Sequence, residues 1–235
     1  MTVESPLLHP AAPANYRKGA AMTWHQRRRH RAVLGLLRRL SGSVLDYGCG
    51  YGDLTFAMSQ THTVVGVDAD CGRIDFAQQE YPSVTFQTCP AEGLSFEDAS
   101  FDNVASVVVI HFVPDHLRYL REIRRVLRAG GHLLIACKNR GLVRAWFRRL
   151  FGKAEPASRL WLPRQGDMEE LLRAEGFEIL ERANFYDPPV VGWKNAGDWI
   201  YGSVEQLLCL LRIHATCGYF LFVARKVSGV APEKT

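Results

Sequence analysis

Short runs of consecutive apolar residues alternate along the chain with segments whose apolar positions recur at helical spacing. Residues 43–46 form the first such run, a short strand, and 52–60 reads as a short helix. Residues 63–68 (TVVGVD) predict a second strand. Asp70 is placed to cap a helix that runs to Glu80 and stops at Tyr81-Pro82. Residues 84–88 (VTFQT) predict a third strand, and 102–110 (DNVASVVVI), the most β-branched run, a fourth. Asp115 then caps a helix to Ala129, with Leu117, Leu120, Ile123 and Leu127 at helical spacing, and Gly130-Gly131 ends it. Residues 132–137 (HLLIAC) predict the fifth strand. Asp167 caps a helix ending at Gly176, 177–185 predicts a sixth strand, and 219–227 a last one. Ahead of all these, Thr23-x-x-Gln26 has the form of a capping box opening a basic helix to Leu40.

Continuous apolar strands alternating with helices predict a parallel sheet covered on both faces. Such sheets bind ligands beyond the carboxyl ends of their strands, near the point where strand order reverses. A length of 235 residues fits one domain. With 47% apolar and 23% charged residues, the chain reads as globular, and no run reaches bilayer length. The N-terminal stretch has no apolar signal core, so no export signal is expected. Six cysteines show neither C-x-x-C nor zinc spacing. Several sit inside apolar runs, as reduced core cysteines do, which fits a cytoplasmic protein without disulfides or a structural metal.

The net charge of +5 is unevenly spread. Between Ser5 and Leu45 stand eight basic residues and no acid; between Leu117 and Lys153, eleven and only Glu122. Such stripes either attract an anionic partner or form solvated helix faces, and the second reading is preferred.

The candidate chemistry starts at VLDYGCGYGD, residues 44–53. Glycines at 48, 50 and 52 lie between a strand and a helix, where backbone N–H groups can face a ligand. The spacing is G-x-G-x-G. Asp53 stands where a dinucleotide site has its third glycine, and no G-K-[ST] follows, which argues against nicotinamide and P-loop sites. Asp68 ends the second strand, placed to accept hydrogen bonds from both hydroxyls of a ribose, each contributing about 1.5–3 kcal/mol. Asp68 could instead cap the next helix, but Asp70 is better placed for that.

Together, VLDYGCGYGDLT, VVGVDAD, CPAEGLSFEDASFDNVASVVVIHFVPD and EIRRVLRAGGHLLIA resemble the successive motifs of class I S-adenosylmethionine-dependent methyltransferases, in the small-molecule group that includes quinone-biosynthesis enzymes. The resemblance is dense over 43–137. It implies a Rossmann-like, doubly wound α/β fold: a seven-stranded, mostly parallel sheet with an antiparallel last strand, an N-terminal helical arm, and an amphipathic helix inserted after strand five. Residues 1–42 would be an arm and basic helix covering the cofactor, 43–227 the catalytic domain with a lid insertion at about 139–165, and 228–235 a flexible tail. The implied cofactor is S-adenosylmethionine. Gly48, Cys49 and Gly50 would line its methionine end, Asp46 orient that turn and hold the amino group, and Asp68 with Ala69 take the ribose. Ala91 and Glu92 would lie beside the adenine, and Ile110 and His111 approach the methionine part or the acceptor. Tyr16, in the arm, would close over the site. Pro90 departs from the acid or polar residue of many relatives, which leaves adenine recognition to backbone or packing.

Methyl transfer needs alignment and exclusion of water, and a base only where the acceptor is protonated. His111 reads either as that base, its ordinary pKa being near neutrality, or as a histidine bonding backbone at the pocket rim. His116, a turn into the next helix, is expected to be exposed. In the insertion, Leu142, Trp146 and Leu150 recur beside Val143, Phe147 and Phe151, with Arg144, Arg148 and Arg149 elsewhere on the turn. This basic amphipathic helix either packs on the sheet edge or forms a substrate lid through Trp146 and Phe147, resting on a membrane surface. Asp187-Pro188-Pro189 resembles a signature of amino-methylating nucleic-acid enzymes, but Val190 replaces the stacking aromatic and the segment follows strand six, so it reads as a turn. The expected partner is a small, hydrophobic or aromatic methyl acceptor, with peripheral membrane contact as an alternative and no nucleic acid. A cofactor-binding protein without catalysis is the third reading.

Overall fold

The computed structural model describes residues 24–89, 93–139, 161–185 and 219–227. In chain order these form α1 (Trp24–Leu37), β1 (Val44–Tyr47), α2 (Asp53–Ser59), β2 (Val64–Asp68), α3 (Cys71–Glu80), β3 (Thr85–Thr88), β4 (Phe101–Val107), a 3-10 turn (Ile110–Phe112), α4 (His116–Val126), β5 (Leu127–Lys138), α5 (Gln165–Ala174), β6 (Phe177–Phe185) and β7 (Tyr219–Lys226). The described strands make one seven-stranded sheet in the order β3-β2-β1-β4-β5-β7-β6. The pairs from β3 to β5 are parallel. β7 inserts between β5 and β6 and runs antiparallel to both. This is the doubly wound, mostly parallel sheet with an antiparallel last strand that the family resemblance implies.

The strands are apolar throughout because both faces are covered. Leu133 and Ile135 point to one face, packing with Leu45, Val104, Phe220 and Phe222 against Leu120 and Ile123 of α4 and Met168 and Leu172 of α5. Leu134 and Ala136 point to the other, joining Val44, Ala105, Leu221 and Val223 under Val33 and Leu37 of α1 and Leu54 and Met58 of α2. Each such fully buried large side chain contributes about 1.5–3 kcal/mol. Asp70 caps α3 by accepting the N–H groups of Gly72 and Arg73. Asp115 caps α4 by accepting that of Arg118 at 2.9 Å.

Three boundaries differ from expectation. α4 ends at Val126: Leu127 turns to extended backbone, pairs with Phe101, and opens β5. Gly130-Gly131 therefore lies inside a strand, where the register shifts between Phe101 and Asn103. There a Cβ on Gly131 would sit 2.8 Å from the Asp102 carbonyl oxygen, so close backbone approach accounts for that glycine, not helix capping. Asp167 is the third residue of α5 rather than its cap, its carboxylate accepting the Arg164 N–H at 3.0 Å. β4 stops at Val107 because Val108 takes a left-handed φ of 66°, which lifts the chain out of the sheet into the 3-10 turn.

Arginines of the second basic stripe face carboxylates. Arg121 meets Glu175, Arg125 meets Glu122 and Asp98, and Arg128 meets Asp102. The Thr23 capping box, the insertion helix and the Asp187-Pro188-Pro189 turn lie outside the described residues.

Candidate cofactor and acceptor site

β1 and β4 are neighbours at the point where strand order reverses. Beyond the carboxyl end of β1, Gly48, Gly50 and Gly52 take φ of 85°, 57° and 85°. Two of them are shaped by the protein itself. A Cβ on Gly48 would lie 2.3 Å from Val109 Cγ2, and one on Gly52 would lie 2.8 Å from the Phe86 ring. A Cβ on Gly50 would meet nothing within 4 Å. A residue that leaves its side-chain position open over free space is what a ligand resting on backbone requires.

The N–H groups of Gly48, Cys49, Gly50 and Gly52 are turned inward, where the sequence reading has such groups face a ligand. Those of Gly48 and Cys49 donate to the Val67 carbonyl at 2.7 and 2.9 Å, and that of Gly52 to Cys49. That of Gly50 donates to Asp68 Oδ2 at 2.9 Å. A diphosphate would need such donors; a cationic ligand does not.

Asp68 is fixed through both oxygens, Oδ1 accepting the Asp70 N–H at 3.0 Å. Each oxygen keeps a lone pair for a ligand hydroxyl, and Ala69 beside it is exposed. Asp46, 2% exposed, accepts the Thr55 hydroxyl at 2.7 Å. Burial pushes its pKa up to about 7, the Thr55 bond opposing and the Asp68 charge adding. Burial, then the charges of Asp46 and Asp68, push the Cys49 thiol up, so it stays neutral. An open glycine, two carboxylates at adjacent strand ends and a turn whose Gly48, Cys49, Gly50 and Gly52 N–H groups are internally engaged suit a ligand bearing hydroxyls and positive charge. An adenosyl sulfonium with its ammonium group is such a ligand.

Past β4, Val109 packs toward Gly48, and Ile110 is fully buried in the core. His111 is 2% exposed, and neither Nδ1 nor Nε2 has a hydrogen-bond partner among the described residues. Burial, then the charges of Lys138, Arg29 and His116, hold its pKa down at about 4. The ring is therefore neutral at physiological pH, with one donor and one acceptor unmet. Each unmet buried group costs about 1–3 kcal/mol. No backbone bond at the rim occupies it among these residues. His116 is not exposed: it is half-buried, its ring 4.0 Å from that of Trp161, and the backbone N–H of Trp161 donates to the His111 carbonyl at 3.3 Å.

The structure thus gathers Asp46, Gly48, Cys49, Gly50, Asp68 and Ala69 at the ends of β1 and β2, with Ile110 and His111 after β4. Tyr16, Pro90, Ala91, Glu92, Trp146 and Phe147 lie outside the described residues. The sequence reading missed Thr55, Trp161, Lys138 and Arg29. Of these only Arg29 had a local signal: it stands at i of an i, i+4, i+8 series whose other members, Val33 and Leu37, are core residues.

A family model described as a methyltransferase domain matches residues 45–135. The O-methyltransferase resE of Aspergillus sclerotiorum is 34% identical over 168 residues, covering 63% of this chain and 61% of that protein. The O-methyltransferase rstn1 of Aspergillus nomiae is 31% identical over 159 residues, covering 61% of this chain and 68% of that one. The chain belongs to the class I S-adenosylmethionine-dependent methyltransferases. The cofactor of this methyltransferase is S-adenosylmethionine. A phthiotriol/phenolphthiotriol dimycocerosates methyltransferase of Mycobacterium ulcerans is 39% identical over 101 residues, 40% of this chain and 37% of its own length. The methyltransferase chain therefore spans about three fifths of resE and under two fifths of the mycobacterial protein. Haemonchus contortus phosphoethanolamine N-methyltransferase 2, solved with S-adenosylmethionine, superposes with a TM-score of 0.59 at 22% identity, over 86% of this chain and 53% of that one. The [4+2]-cyclase SpnF does so with 0.61 at 21%, over 91% and 86%. Likeness at these identities is one of fold.

Proposed function

We propose that the protein methylates an oxygen of a small, hydrophobic or aromatic acceptor held beyond β4, beside His111. The observation that carries this reading is the buried imidazole of His111, unmet on both nitrogens among the described residues and two residues from the Val109 side chain that abuts the glycine turn. The two fungal relatives, both named O-methyltransferases, support oxygen as the methylated atom.

When bound, S-adenosylmethionine supplies an electrophilic methyl group on a sulfonium. Asp68 would hold the ribose hydroxyls, Asp46 the ammonium group, and Gly50 would leave room for the ligand against the backbone. His111 would accept the hydrogen bond of the acceptor hydroxyl and turn its lone pair toward the methyl. Complete proton removal from a phenol with a pKa near 10 by a group held near 4 costs about 8 kcal/mol. His111 is therefore assigned orientation of the neutral hydroxyl, and takes its proton along the same hydrogen bond only as the C–O bond forms and makes that oxygen strongly acidic. The arm over 1–42 and the insertion over 139–165 would exclude water.

A lipid acceptor is the second reading, favoured by the name of the mycobacterial relative and by exposed Phe112 and Leu117 near His111. Among the described residues no helix is long and apolar enough to cross a membrane, so such an acceptor would be met at a surface.

Turnover of labelled S-adenosylmethionine on phenolic, alcoholic and lipid acceptors, with His111→Ala and His111→Gln, tests this. His111→Ala is expected to lower kcat about 100-fold at unchanged cofactor affinity, with partial retention in His111→Gln. Most activity surviving in both contradicts the role of His111. Cofactor binding without turnover of any acceptor favours a non-catalytic protein.

A further inference from the structure

Arg29 is a charged residue on the core-facing side of its helix. Val33 and Leu37, one and two turns on, are fully buried against Leu134, Ala136, Leu221 and Val223. Those strand residues lead to the carboxyl edge of the sheet, where Lys138 at the end of β5 pairs with Tyr219 at the start of β7. Arg29 reaches the same edge, its guanidinium 4.3 Å from the centroid of the Tyr219 ring. It is 9% exposed, and its Nε has no hydrogen-bond partner among the described residues. Among the described residues no carboxylate pairs with it, in contrast to Arg121, Arg125, Arg128 and Arg182, each of which meets one.

His111 lies at the same edge, since its 3-10 turn follows β4, the other neighbour of β5. Lys138 and Arg29 are close enough for their charges to act on its ring. A buried guanidinium without a counter-charge is strongly unfavourable, and stacking on a tyrosine offsets only part of that. A bound sulfonium would add another positive charge to this end of the sheet. An anion would supply the counter-charge that the described residues do not.

We propose that Arg29 and Lys138 form an anion clasp beside His111, and that the methyl acceptor carries, besides the hydroxyl that is methylated, an oxyanion, either a carboxylate or an ionised phenol, which the clasp binds. The planar guanidinium fork suits a carboxylate or phenolate, and lysine adds a point charge. The identity of the ligand as the acceptor rests on the methyltransferase reading above; the clasp itself rests on Arg29.

The test is NMR of the full chain, following the Arg29 Nε–H and the His111 ring, with and without S-adenosylhomocysteine. One arm compares benzoate with benzamide, the other 4-nitrophenolate with 4-nitroanisole. At least one anion is expected to give saturable shifts at both residues, about ten-fold tighter than its neutral counterpart or better, and the arm that saturates identifies the oxyanion. Lys138→Gln should weaken it about ten-fold, Arg29→Gln should abolish the preference, and Arg29→Lys should restore part of it. The clasp is overturned if neither anion gives a saturable shift, if the neutral compounds bind equally, or if Arg29→Gln keeps the preference. S-adenosylhomocysteine titrated into the same samples separates the two claims. Failure of the wild type to bind it contradicts the methyltransferase reading, whereas binding without anion discrimination contradicts only the clasp.

Discussion

Gly48 and Gly50 both take a left-handed backbone, yet a methyl group added to each would meet different things. At Gly48 it would collide with Val109, and at Gly50 it would enter open space. Gly48→Ala should therefore lower the thermal midpoint markedly. Gly50→Ala should cost about 1 kcal/mol of stability while weakening cofactor binding about ten-fold or more, the pair being read by thermal denaturation and calorimetry. Equal loss of stability in both would contradict a ligand-facing Gly50. Asp46 carries a second prediction. Its carboxyl, raised to about 7, is mostly protonated at pH 6. A cationic ligand against it favours the carboxylate, so binding at that pH should release close to one proton. Calorimetry in buffers of different ionisation enthalpy reads this, and Asp46→Asn should abolish the buffer dependence. Asp46, Gly48, Gly50 and Asp68 were legible in the sequence because a strand end, a turn and the next strand end are local features. Trp161 was not legible, and Arg29 only in its place on the core-facing stripe of its helix, because what they face is set by strands and loops distant in sequence.

At the scale of elements, the junction of α4 and β5 separates sequence pattern from packing. Helical spacing of Leu120, Ile123 and Leu127 carries on past the true helix end, and Gly130-Gly131 has the composition of a helix stop. Register against β4 decides otherwise. If these glycines capped a helix, Gly130 would be the sensitive one. Inside β5, a Cβ on Gly131 strikes the Asp102 backbone, while one on Gly130 meets nothing within 4 Å. Gly131→Ala should thus cost about 1–3 kcal/mol through that clash, and Gly130→Ala about 1 kcal/mol through its left-handed φ of 74° alone, as measured by urea midpoints; no loss of stability in Gly131→Ala would restore a helix cap. The end of β4 was hidden for a similar reason. An unbroken β-branched run does not reveal that Val108 leaves the sheet at φ 66°, a strain of about 1–3 kcal/mol held at the edge of the site.

For the whole molecule, the alternation of strand and helix was enough to read the doubly wound sheet. The insertion of β7 between β5 and β6 joins segments far apart in sequence, which no periodicity encodes. Burial and the Arg29 charge hold His30 at about 4, Asp53 opposing, and His111 is also near 4. With folded values below the unfolded 6.5, the native state binds fewer protons between about pH 4 and 6.5, so both groups make stability fall as pH drops through that window. Asp46, raised from 3.8 to about 7, binds an extra native proton and acts in the opposite sense. Two groups outweigh one, so urea midpoints should decline from pH 6.5 to 4.5, and the double variant His30→Gln/His111→Gln should flatten or invert the trend. The most direct test of the central claim, that the bend after β1 and the carboxylate ending β2 together hold the cofactor, is calorimetric titration of S-adenosylhomocysteine into the wild-type chain and Asp68→Ala. One ligand per chain, bound about ten-fold or more weakly by the variant, is the predicted result; no binding by the wild type, or equal affinity in the two proteins, would contradict it.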